Sequence, residues 1–167
     1  MMKLVNHNII VSIIISILFF SLAHAGVESQ GIDSKESYKR VMDNLTNTFI
    51  IDVRTRAEYE FVGHPDMPNG VPNIPYKFYP TWEVNMNFVK KVEERYKKED
   101  TIIIICRSGK RAKAAAKPLK DSGFQKVFHM TDSFEGPKDK KGHRTVGGWK
   151  VNDLPYTYKL ENHLVYR

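Results

Sequence analysis

At 167 residues, with 41% hydrophobic and 27% charged side chains, the chain has a globular composition and not a disordered one. The net charge is +7, but the basic residues form no aromatic-basic nucleic-acid signature, so small anions suit the charge better than nucleic acid. One cysteine, Cys106, leaves no internal disulfide and no self-contained dithiol oxidoreductase, and the six scattered histidines give no zinc motif, so no metal site is expected.

Residues 1–25 read as a secretory signal peptide. Lys3 supplies the positive start, Ile9 to Leu22 is almost wholly apolar, and Ala23-His24-Ala25 is an A-x-A cleavage site. The apolar run is short for a membrane span, and no cysteine stands at the cleavage position to carry a lipid. The expected product is one domain, residues 26–167, periplasmic or secreted after cleavage following Ala25, with no membrane attachment.

Gly26 to Gly31 is expected to be a loose lead. Asp33 and Glu36 have capping-box spacing. Tyr38, Val41, Met42 and Leu45 then fall at helical spacing, and Asn47 ends the helix. Phe49 to Val53 is a buried strand. Thr55 and Glu58 form a second capping box, which opens a short helix and places Arg54 and Glu58 to pair across its first turn. The prolines of Pro65-Asp66-Met67-Pro68-Asn69-Gly70 exclude helix and central strand, leaving a long surface loop beside the site. His64, with no second histidine near, reads as a hydrogen-bonded structural residue. A short strand is expected at 72–75. The aromatics Tyr76, Phe78, Tyr79 and Trp82 read as core packing, with a wall at the site entrance as the alternative. Asn87 caps a helix through Tyr96, with Phe88, Val89, Val92 and Tyr96 on one face.

The stretch Thr101 to Arg111 carries the chemistry. Ile102 to Ile105 is a β-branched run bounded by charge and ending at Cys106, which reads as a buried strand. Ala112 to Ala116 continues as helix, so Cys106 stands in the loop between strand end and helix start. Ligands bind at that edge of open α/β sheets. Unpaired N–H groups at the helix start, with Arg107, Lys110 and Arg111, favour a thiolate there. The helix runs to Gly123, and Pro118 is expected to kink or split it. Lys126 to Met130 is the next strand. Asp132 to Trp149 is a basic segment with Lys138, Lys140 and Lys141, and the tail from Tyr156 packs over the domain.

The hexapeptide Cys106-Arg107-Ser108-Gly109-Lys110-Arg111 resembles the active-site loop of rhodanese-like sulfurtransferases. The order Asp52, Arg54, Glu58-Tyr59, Gly63-His64 and Asn73-Ile74-Pro75 is similar to that family's D-x-R, E-[FY], G-H and N-I-P pattern. Phe134-Glu135-Gly136, Gly142, Arg144 and Gly148-Trp149 are similar to an exported sub-group, and Leu154-Pro155 matches the family's closing L-P. The similarity runs from about residue 32 to 155. Between Gly63-His64 and the next strand the chain departs from the common pattern.

The alternation of strands and helices predicts a parallel α/β sheet with helices on both faces; the resemblance supplies the strand order. It also implies a sulfurtransferase. Cys106 is the nucleophile, carrying sulfur as a persulfide. Arg107, Ser108, Gly109, Lys110 and Arg111 bind the substrate, and Asp52, Arg54 and Glu58 support the loop. No cofactor is implied. The partners are a small anionic donor such as thiosulfate, a thiol or cyanide acceptor, and another exported protein as a further acceptor or donor. Alternatives are a non-catalytic module, a sulfur carrier, and a cysteine phosphatase or arsenate reductase. Cys106 and Arg111 enclose four residues, one fewer than the phosphatase loop, which suits one sulfur better than a tetrahedral phosphate.

Overall fold

The computed structural model describes residues 29–167; residues 1–25, where a signal peptide is expected, lie outside them. The elements run β1 (Gln30–Ile32), α1 (Ser34–Asp43), β2 (Thr48–Asp52), α2 (Arg56–Val62), β3 (His64–Pro65), α3 (Phe88–Glu93), β4 (Thr101–Ile105), α4 (Lys110–Asp121), β5 (Lys126–Met130) and β6 (Tyr156–Thr157). Four strands form a parallel sheet in the order β1-β5-β4-β2, and β3 pairs antiparallel with β6. Among the described residues no helix is long and apolar enough to cross a membrane.

The isoleucine run of β4 explains the layers. Side chains alternate across a strand, so a strand covered on both faces must be apolar throughout. Ile102, Ile104 and Cys106 point into one core with Phe88 and Val92 of α3 and Ala112, Ala115, Ala116 and Leu119 of α4. Ile103 and Ile105 point into the other, with Val41 of α1, Met130, Phe134 and Trp149. All four isoleucines are fully buried, each worth about 1.5–3 kcal/mol relative to exposure. Helices therefore lie on both faces, as expected.

Several expectations need correction. The lead is not loose from Gln30 on: β1 pairs with Phe128 to Met130. Residues 72–75 form a single parallel bridge, Asp52 to Asn73, and no strand. The reason is local, since Pro72 and Pro75 have no N–H to give to a ladder. The loop at 65–70 is more anchored than a surface loop: Pro65 lies in β3, the Asp66 N–H bonds the Pro155 carbonyl at 2.9 Å, and Met67 is buried. Helix α3 ends at Glu93, short of Tyr96, and Asn87 makes no side-chain cap. Pro118 does not split α4, which is continuous to Asp121. Its fixed φ suits a helix, and the bond it forfeits is to the carbonyl of Ala114, on the exposed side.

Candidate active site

Cys106 follows β4 at the sheet's C-terminal edge and is 1% exposed. Its Sγ accepts a hydrogen bond from the Gly109 N–H at 3.1 Å, so the loop folds back over the sulfur. That close wrap requires glycine. Gly109 has φ +92°, and a Cβ there would meet the Thr131 carbonyl oxygen at 2.3 Å. Gly109 also occupies the cap position of α4, so no side chain competes for the N–H groups of the first turn.

The loop backbone is held by the segment after β5. The Cys106 N–H donates to Ser133 Oγ at 3.2 Å, and the N–H of Phe134 donates to the Cys106 carbonyl at 3.0 Å. The Arg107 carbonyl accepts from Glu135 at 3.0 Å and Gly136 at 3.2 Å. Ser133 is fully buried, with φ +55°, and its Oγ lies 3.6 Å from Sγ. Its single proton goes to the Met130 carbonyl at 2.8 Å, so toward a Cys106 thiol its oxygen is an acceptor. Toward a thiolate the same hydroxyl can rotate and donate. Sequence reasoning missed Ser133; its only signal is its place between β5 and Phe134-Glu135-Gly136.

The loop cations divide by partner. Arg111 makes a bidentate pair with Glu58, at 2.7 and 2.6 Å. Glu58 therefore pairs with Arg111 and not, as expected, with Arg54. Burial raises the Glu58 pKa, but the hydrogen bonds and charge of Arg111 and the Thr55 donors outweigh it and bring it to about 2. Burial likewise works to lower Arg111, and Glu58, with smaller help from Cys106 and Asp52, reverses that, leaving it raised. The Trp82 ring sits 5.5 Å from the Arg111 guanidinium carbon. Trp82, Tyr79 and Phe78 are exposed. They are therefore not core packing: Trp82, with Tyr79 edge-on to it, stands beside Arg111 as the entrance-wall alternative has it, Phe78 packs on Tyr166 of the tail, and Tyr76 packs on the core.

Arg107 pairs with Glu135 through Nε at 3.1 Å and is 49% exposed. Lys110 is exposed and has no ion-pair partner among the described residues. Ser108 is half-buried between them. Arg107 and Lys110 are thus the loop cations open to an incoming anion, whereas Arg111 is committed to the scaffold.

Arg54 and Asp52 form a fully buried pair at 2.6 Å. Arg54 also donates to the Gly63 carbonyl at 2.6 Å and stacks 4.1 Å from the Phe134 ring. It thus props the segment that holds the loop, and the Asp52 carboxylate holds Arg54 in turn through its side-chain and backbone N–H groups. His64 stacks on Tyr59, centroids 3.9 Å apart, and its Nε2 lies 3.2 Å from the Lys159 carbonyl oxygen, the structural role expected of it. Among the described residues no group of three His, Cys, Asp or Glu side chains converges as a metal site.

The sequence pattern of the Rhodanese-like domain matches residues 34–140. An uncharacterised Rickettsia conorii protein, RC0915, is 33% identical over 133 residues, covering 77% of this chain and 98% of that protein. The crystal structure of Rv0390 from M. tuberculosis superposes with a TM-score of 0.71 at 29% identity, over 78% of this chain and 98% of that one. The solution structure of a polysulfide-sulfur transferase homodimer from Wolinella succinogenes gives 0.56 at 19% identity, over 89% of this chain and 92% of that one, a likeness of fold alone.

Proposed function

The chain belongs to the rhodanese-like domain family, and from that premise we propose that it is a sulfurtransferase working through a persulfide on Cys106. The observation that carries this is the sulfur's setting: Sγ, wrapped by its own loop, accepts the Gly109 N–H at 3.1 Å at the head of α4. An N–H dipole at a helix start that points at a sulfur interacts favourably with negative charge.

In the proposed reaction the Cys106 thiolate attacks the outer sulfur of a donor such as thiosulfate. A new S–S bond forms, the old one breaks, and sulfite leaves with its electron pair. A thiol or cyanide then attacks the terminal sulfur, and the Cys106 thiolate is released. The first-turn N–H groups of α4, with Arg107 and Lys110, meet the anionic donor and leaving group. Arg111 contributes by fixing the loop to Glu58. We further propose that the protein acts after export, on the strength of the Lys3, Ile9–Leu22 and Ala23-His24-Ala25 pattern.

Steady-state assay of thiosulfate with cyanide tests the reading. Thiocyanate release is expected from the wild type and none from Cys106→Ser. Hydrolysis of an aryl phosphate with no thiocyanate release would replace this reading with the phosphatase one.

A further inference from the structure

The basic segment after β5 holds a group of charges that the reaction above does not use. Glu135 lies between two guanidinium groups. Its Oε1 is 3.1 Å from Arg107 Nε, and its Oε2 is 3.6 Å from Arg144 Nε. Glu135 and Arg144 are mostly buried, at 19% exposure each, while Arg107 is 49% exposed on the catalytic loop. Arg144 is fixed at its other end, where Nη1 bonds the Gly136 carbonyl. Gly136 in turn bonds the Arg107 carbonyl. Arg144 Nε has no hydrogen-bond partner, so its pull on Glu135 is that of a charge.

From this geometry we propose that Glu135 and Arg144 are positioning residues that set how far Arg107 is free to meet an anion beside Cys106. The proposal rests on the reading of the Cys106 loop as an anion-handling site. Glu135 holds Arg107 by one contact. Arg144 shares the carboxylate and weakens that hold, keeping the group at a net charge of one positive. Without Arg144, Glu135 neutralises Arg107 alone, and the mouth keeps only the Lys110 charge to attract anions. Without the Glu135 charge, Arg107 is released and the attraction rises. Substitutions on either side of one carboxylate therefore act in opposite directions.

Cys106 is the only thiol in the chain, so its alkylation reports the field at Sγ whatever reaction the protein performs. The measurement is the rate with iodoacetate, an anion, divided by the rate with neutral iodoacetamide, at low and at high salt. Arg144→Gln is expected to lower that ratio about fivefold at low salt, and Glu135→Gln to raise it by a similar factor, with both effects shrinking at high salt. Arg144→Lys, which keeps the charge, should restore most of the loss. Lys138→Ala, an exposed lysine on the same segment, should leave the ratio unchanged. Parallel changes in both rates with an unchanged ratio, or shifts of the same sign for Arg144→Gln and Glu135→Gln, would overturn the proposal in favour of a purely structural role. If the ratios behave as expected but no sulfur is transferred from thiosulfate, the sulfurtransferase reading fails and the charge arrangement stands.

Discussion

Glu58 and Arg111 stand 53 positions apart, and their bidentate pair fastens the start of α4 to the start of α2. The Glu58 pKa falls from 4.5 to about 2 on folding, so the carboxylate is charged in the folded protein at pH values where the unfolded chain has taken up a proton. Its contribution is therefore complete above pH 4.5 and is lost as pH falls toward 2, on the order of 3 kcal/mol in all. Acid titration of thermal stability should show this: Glu58→Gln is expected to be destabilised at pH 7 and to lose less further stability between pH 4.5 and 2 than the wild type. The same pair predicts that Arg111→Ala slows thiosulfate turnover more than Lys138→Ala does, because Arg111 fixes the loop and Lys138 is solvated. Equal kinetic effects at one ionic strength would show that general positive charge handles the donor. At this scale Cys106 and its hexapeptide were legible in the chain, because strand, cysteine and glycine are contiguous. Which cation pairs with which carboxylate was not. Arg54 stands four residues from Glu58, yet it turns to Asp52 and leaves Glu58 to a residue brought near only by the fold. Ser133 was hidden for the same reason, since it meets Cys106 across 27 positions.

Among the elements, the segment from Ser133 to Trp149 does most to shape the site. The backbones of Gly136 and Gly148 cross so closely that a Cβ on Gly136 would lie 1.6 Å from the Gly147 carbonyl oxygen. Gly136→Ala is therefore expected to push this segment off the catalytic loop, lowering stability by more than about 1 kcal/mol. Turnover should fall further than stability alone explains, as unfolding curves and kinetics on the same variant would show. In the sheet, Ile103→Ala removes a fully buried side chain between β4 and the α1 side of the core. A loss of about 2–5 kcal/mol in chemical denaturation is expected. The long periodic elements could be read from their patterns: β2, β4 and β5, the Asp33-capped start of α1, and the complete Thr55–Glu58 capping box, whereas α1 ends at Asp43, short of Asn47, and leaves Met42 and Leu45 exposed. The short ones could not. β1 has three residues and no apolar run, and it is a strand only because β5 is beside it. Residues 72–75 are apolar enough to be buried, but their prolines forbid a ladder.

For the whole molecule, the parallel sheet brings the ends of β4 and β5 to one edge, and everything proposed for the site depends on that meeting. Cys106 leaves β4, Ser133 and Glu135 follow β5, and α4 begins between them. The strand order β1-β5-β4-β2 is seen only in the folded sheet and could not be obtained from spacing, because parallel neighbours are joined by crossovers of any order. Intact mass of the protein recovered from the cell envelope tests the export proposal, with a first residue of Gly26 expected and a chain still beginning at Met1 contradicting it. The central claim is that Cys106 takes up one sulfur atom. The most direct measurement is the intact mass of the purified protein after incubation with thiosulfate and removal of the excess. The account predicts a gain of one sulfur, reversed by cyanide with release of thiocyanate and absent in Cys106→Ser. A folded wild type that gains no sulfur from thiosulfate or from a persulfide donor would contradict it.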